Sequence, residues 1–112
     1  MALNKREVKD IAIIDVQSEI DFNDSTNLKG MVDMFIRDKK YKVLVNLENA
    51  PLITSRGMGT FITSQVKLKK YGGNLKICCV SAQNKEIFEM TKLNTVFNIF
   101  DTEENAILKY ND

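Results

Sequence analysis

Along this chain, short apolar runs alternate with longer stretches in which apolar residues return every three or four positions. Leu3 to Val8 predicts a weak strand. Ile11 to Val16, Ile-Ala-Ile-Ile-Asp-Val, is β-branched and almost wholly apolar, the composition of a buried strand. Lys9-Asp10 leaves room only for a tight turn, so these two strands are expected to be antiparallel. Asp24, Ser25 and Thr26 are helix-capping residue types. After them Leu28, Met31, Val32, Phe35 and Ile36 fall on one helical face, and Asp38-Lys39-Lys40 closes the helix. Tyr41 to Leu47 predicts a third strand, broken by Asn49-Ala50-Pro51. A second helix is expected from near Ser55 to about Lys70, with Met58, Phe61, Ile62 and Val66 as its buried face. Gly72-Gly73 ends it. Leu75 to Val80 reads as a strand, and Ser81 caps a short helix through Met90, anchored by Ile87, Phe88 and Met90. Val96 to Phe100 is a last strand. Asp101-Thr102-Glu103-Glu104 opens a final helix docked by Ala106, Ile107 and Tyr110.

The order is β-β-α-β-α-β-α-β-α. Alternating strands and helices predict an α/β fold, with a mixed, mostly parallel sheet and about four helices. At 112 residues the chain is expected to be one domain, residues 1–112.

Composition narrows the function. The chain has no histidine, which removes histidine-based triads and metal sites. Sixteen basic against fifteen acidic residues give a net charge of +1, without the basic excess of a dedicated nucleic-acid binder. No run of about 18 apolar residues is present, so no membrane insertion is expected. The start, Met-Ala-Leu-Asn-Lys-Arg-Glu, has no apolar stretch after its charges, so no signal peptide is expected either. Cys78 and Cys79 sit between Ile77 and Val80 and read as reduced core thiols, with a redox pair as the alternative.

The informative stretch is Pro51-Leu52-Ile53-Thr54-Ser55-Arg56-Gly57-Met58-Gly59, between a strand end and a helix start. Ser55 is expected at or near the N-cap. Two readings compete: a plain cap with glycines easing packing, or a place for a phosphoryl group or anion at the helix N-terminus. Ile53 stands where a nucleophile elbow needs glycine, and no Gly-Lys-Ser/Thr follows. No base lies near Ser55 in sequence, though Asp21 could approach it in space.

Six segments in order resemble the anti-sigma-factor antagonists, whose fold is the STAS domain. Ser18-Glu19-Ile20-Asp21 is similar to the family's Gly-Glu-Leu/Ile-Asp segment, and Val43-Leu-Val-Asn-Leu47 to its strand ending in Asn/Asp-Leu. Thr54-Ser55-Arg56-Gly57-Met58-Gly59 resembles its Asp-Ser-Ser/Ala/Thr-Gly-Leu-Gly motif. Tyr71-Gly72-Gly73-Asn74-Leu75 resembles its glycine turn, Phe88 to Leu93 its short third helix, and Val96 to Phe100 the strand after it. The resemblance implies partner switching in the bacterial cytoplasm. The antagonist binds an anti-sigma factor that is also a serine kinase, and the sigma factor is released. The kinase then phosphorylates the serine that aligns with Ser55, and a PP2C-type phosphatase restores it. No cofactor, catalytic residue, metal or direct nucleic-acid contact is implied; the chain would be a substrate rather than an enzyme. Thr54 replaces the family's Asp, Arg56 its small residue and Ser18 its glycine. The first two changes make the loop more positive.

The expected docking face comprises Glu19, Asp21, Thr54, Ser55, Arg56, Gly57 and Met58. Thr54 and Thr60 also carry hydroxyls, but only Ser55 matches the motif position. Lys67, Lys69 and Lys70 read as an exposed helix end. Alternatives to the switch are a STAS scaffold or transporter-regulatory module not controlled by phosphorylation, and an enzyme or small-ligand binder using the Ser55 helix start.

Overall fold

The computed structural model describes residues 2–110. Two strands, β1 (Leu3–Val8) and β2 (Ile11–Val16), form an antiparallel hairpin around a two-residue turn. β3 (Lys42–Asn46), β4 (Asn74–Cys78) and β5 (Ile99–Phe100) join in parallel, so the sheet order follows the chain order, β1 to β5. The expected mixed, mostly parallel sheet is therefore present. Four α-helices fill the crossovers and the end: α1 (Phe22–Arg37), α2 (Ser55–Lys69), α3 (Ala82–Met90) and α4 (Glu103–Tyr110).

The apolar runs of β2 and β3 have one cause, burial on both faces of the sheet. Ala12, Ile14, Val16, Val43 and Val45 point into the larger core with Leu28, Val32, Phe61, Leu68 and Phe88. Ile11, Ile13 and Leu44 point the other way, beneath Ala106 of α4. Polar bonds tie α4 to the sheet. Arg6 donates to Asp15 at 2.7 Å and to Glu103 at 2.5 Å, and Asn46 Nδ2 donates to Glu103 at 3.0 Å. The Tyr110 hydroxyl sits between the carbonyls of Val43 and Asn74.

Several expectations need correction. The cap of α1 is Asp21, a turn earlier than Asp24, Ser25 or Thr26; Asp24 instead completes a reciprocal capping box with it. The buried face of α2 is Gly57, Thr60, Phe61, Ser64, Gln65 and Leu68, while Val66 is exposed and Met58 and Ile62 are half-buried. Thr60 and Gln65 occupy that face because they have partners, whereas the buried Ser64 hydroxyl has none among the described residues. Gln65 Oε1 accepts from Leu75 N at 2.7 Å, and Ser25 donates to Thr60 at 2.6 Å across the α1–α2 contact. That direction follows because the single Thr60 hydroxyl proton is given to the Arg56 carbonyl at 2.8 Å. Met90 is not an anchor: it is 76% exposed, past the turn that buries Phe88. The last strand is only Ile99–Phe100, as Val96 follows a 3₁₀ turn at Leu93–Thr95. Cys78 is buried in β4, but Cys79 lies beyond the strand with φ +62, and both are free thiols.

Candidate functional site

The site forms where β3 ends and α2 begins. Asn46 Oδ1 accepts from Glu48 N at 2.9 Å and turns the chain out of the sheet. The next loop, through Pro51 and Ile53, is held from the side by α3. Asn84 is fully buried there; its Oδ1 accepts from Ile53 N at 2.8 Å and its Nδ2 donates to the Pro51 carbonyl at 3.1 Å. Asn84 is a positioning residue that pattern reading passed over. Its place three residues after the Ser81 cap hides it among ordinary helix-start polar residues.

Thr54, not Ser55, is the N-cap of α2. Its Oγ1 accepts from Gly57 N at 3.2 Å, and its carbonyl starts the helix by accepting from Met58 N at 3.0 Å. Ser55 becomes the first helical residue, exposed and outside the capping bond. The capping explanation for Ser55 therefore belongs to its neighbour, and the Ser55 hydroxyl is left at a helix start whose backbone N–H groups point outward.

The start of α1 lies alongside. Arg56 is exposed and its guanidinium carbon sits 5.7 Å from the Phe22 ring centroid. Phe22 is itself 69% exposed, an aromatic on the open end of the molecule. It falls outside the apolar stripe of α1, which is the signal that could have marked it. Asp21 accepts from Asp24 N at 2.8 Å. That backbone donor, with the charge of Arg56 as a lesser influence, holds the Asp21 carboxyl below the usual carboxylate range. The carboxylate is thus engaged in capping α1. Gly57 is buried because Ile53 and Ile20 close over it, with Ile20 Cδ1 3.6 Å from where a β-carbon would stand. Glu19 and Thr54 share a crevice of only about 10 Å³, room for about a single water.

Of the expected docking residues, Thr54, Ser55, Arg56, Gly57 and Met58 form the first turn of α2, and Glu19 and Asp21 flank it. Gly57 is buried, Thr54 and Met58 are half-buried, and Glu19, Asp21, Ser55 and Arg56 are exposed. Thr60 is buried and bonded, unlike Ser55. Lys67 pairs with Asp33 of α1 at the far end of α2. Among the described residues, no cluster of metal-ligating side chains occurs, and no helix is long and apolar enough to cross a membrane.

The STAS domain family matches residues 2–106. The anti-sigma F factor antagonist of Paenibacillus polymyxa is 22% identical over 98 residues, covering 87% of this chain and 84% of that protein. A candidate anti-sigma factor antagonist from Thermotoga maritima superposes with a TM-score of 0.89 at 19% identity, over 98% of this chain and 95% of its own. SpoIIAA of Bacillus superposes in its phosphorylated form with a TM-score of 0.78 at 19% identity, over 97% of this chain and 99% of that chain. Unphosphorylated SpoIIAA gives 0.79 at 18% identity, over 98% of both chains.

Proposed function

The chain belongs to the STAS domain family, and from that premise we propose that it is an anti-sigma-factor antagonist switched by phosphorylation of Ser55. It binds an anti-sigma factor that is also a serine kinase, and so releases the sigma factor. The kinase transfers the γ-phosphoryl of ATP to the Ser55 hydroxyl, and a PP2C-type phosphatase hydrolyses the ester to restore the serine. The chain acts in the cytoplasm as a substrate and binding partner, without catalysing a reaction.

One observation carries this reading. Ser55 is exposed at the first position of α2, while Thr54 satisfies the helix cap. A hydroxyl not needed for folding can be modified without unfolding the domain. The added phosphate brings about −1.5 to −2 charges. It would meet the positive end of the α2 dipole and the Arg56 guanidinium, so the isolated domain tolerates it. At the interface the outcome is reversed. A neutral hydroxyl packs against a partner, whereas an unpaired buried dianion costs about 3–5 kcal/mol, or roughly 10² to 10⁴ in affinity. That SpoIIAA has nearly the same fold similarity to this chain in both states supports a switch that acts through the surface. Glu19, Asp21, Thr54, Arg56, Gly57 and Met58 complete the docking face, with Phe22 beside them.

The test incubates wild type and Ser55→Ala with the cognate kinase and ATP and reads intact mass. One added phosphate in wild type and none in Ser55→Ala is the expected result. A phosphate retained by Ser55→Ala overturns the site, and no phosphate on either protein overturns the switch. Ser55→Glu is expected to bind the kinase at least about tenfold more weakly, with little change in melting temperature.

A further inference from the structure

The parallel strands of the sheet begin at the end of the molecule opposite Ser55. A cleft of about 610 Å³ opens there, between the β1–β2 turn, the loop after α1, the glycine turn before β4 and the end of α4. Six lysines line it: Lys9, Lys39, Lys40, Lys42, Lys76 and Lys109. Its acidic lining among the described residues is Glu7 and Asp10. A whole-molecule charge of +1 therefore conceals a concentrated positive field at this end.

Two features describe how the lysines of the cleft are held. Lys9 has φ +57 and Lys39 has φ +59, so both occupy the left-handed region, which disfavours a residue with a β-carbon. Glycine would relieve both turns. Among the described residues three lysines take this conformation: Lys9 and Lys39 line the cleft, and Lys92, just after α3, does not. The second feature is how the charges are held. Lys40 and Lys42 are paired with Glu7 and Asp10 at 2.9 Å, but these are solvent-exposed pairs that a denser anion can displace. Lys76 places its ammonium 4.7 Å from the Tyr110 ring centroid and 5.2 Å from that of Phe100, which fixes it over the aromatic wall.

We propose that this cleft is a binding site for a compact, multiply charged anion of the phosphate class, separate from the Ser55 surface. Its volume falls in the range of small-molecule sites. Lysines contributed to one cleft by several elements suit several negative charges on one small body. The charge gathers in a cleft instead of running along a stripe, which favours a small anion over a nucleic-acid strand.

The probe is sodium tripolyphosphate, followed by calorimetric titration and by thermal melting against sodium chloride of equal ionic strength. Wild type is expected to bind it, to melt higher in its presence than in the salt control, and to bind more weakly as salt rises. Lys9→Gly/Lys39→Gly is expected to melt no lower than wild type without ligand, yet to lose at least about tenfold in affinity. Lys109→Gln, which leaves both turns intact, is expected to weaken binding in the same direction. Ser55→Glu is expected to bind tripolyphosphate as wild type does. Absence of a shift beyond the salt control overturns the proposal, as does unchanged affinity in the lysine variants. Loss of binding in Ser55→Glu also overturns it, because the anion would then sit at the α2 start.

Discussion

Asn84→Leu tests whether the Ser55 loop is held from α3. Leucine has the same branched heavy-atom skeleton as asparagine, so the change removes polar contacts and opens no space. It leaves Ile53 N–H without the acceptor at 2.8 Å and the Pro51 carbonyl without the donor at 3.1 Å. Stranding a buried polar backbone group costs about 1–3 kcal/mol. Pro51 is exposed, so water recovers most of its loss; Ile53 is half-buried and recovers less. The expected total is about 2 kcal/mol, which lowers the melting temperature by roughly 10 °C in a domain of this size. The same 2 kcal/mol, if spent locally, speeds amide exchange at Ile53 by about 30-fold. Thermal melting and site-resolved hydrogen exchange measure both effects, with Gln83→Ala as an exposed control on the same helix. A variant that melts within about 2 °C of wild type, with Ile53 exchanging as before, would refute the claim that Asn84 holds this loop.

Other outcomes follow from the same contacts. Thr54→Ala is expected to lose about 1 kcal/mol in urea denaturation and Ser55→Ala under about 0.5, because only Thr54 makes the cap bond. Gly59→Ala is expected to stabilise by about 0.5–1 kcal/mol, since a β-carbon there meets open space in an exposed helix. Gly73→Ala is expected to destabilise by more than about 1 kcal/mol, its β-carbon falling 2.6 Å from the Tyr41 carbonyl oxygen. Hydrogen bonds from Arg6 hold the carboxyls of Asp15 and Glu103 below their ordinary values of 3.8 and 4.5. Their contribution is therefore complete at neutral pH and is lost as pH falls through the depressed folded-state values. The stability gap between wild type and Arg6→Leu should narrow below about pH 4, and a gap that stays constant with pH would count against the network.

How much was legible depended on the kind of force involved. β2 and β3 are readable because double-sided burial leaves almost no choice but Ile, Val, Leu and Ala. The α1 stripe from Leu28 to Ile36 is readable for the same reason on one side. The rotation of α2 was not readable from hydropathy, since Thr60, Ser64 and Gln65 face inward. Thr60 and Gln65 do so through bonds to residues distant in sequence, among them Ser25 and Leu75. The helix caps show a related limit. Asp21 and Asp24 are equivalent as residue types, and only the reciprocal bonds distinguish cap from third residue. At the site, the Thr54-Ser55-Arg56 segment was legible by motif, but the division of labour between cap and free hydroxyl needed coordinates. Asn84 and Phe22 were missed because their roles arise between elements.

The two outer strands bear on how any partner can engage this protein. β1 has β2 on one flank only, and its middle carries Lys5, Arg6 and Glu7, while β5 at the other border is two residues long. Charge on one border and brevity on the other deny an incoming strand a template to extend. Recognition by sheet continuation is thereby disfavoured, and so is uncontrolled stacking of copies border to border. Partners are left to meet helix starts and loops, contacts made by side chains. A single covalent group on one side chain can then govern association, which main-chain pairing along a strand would not permit.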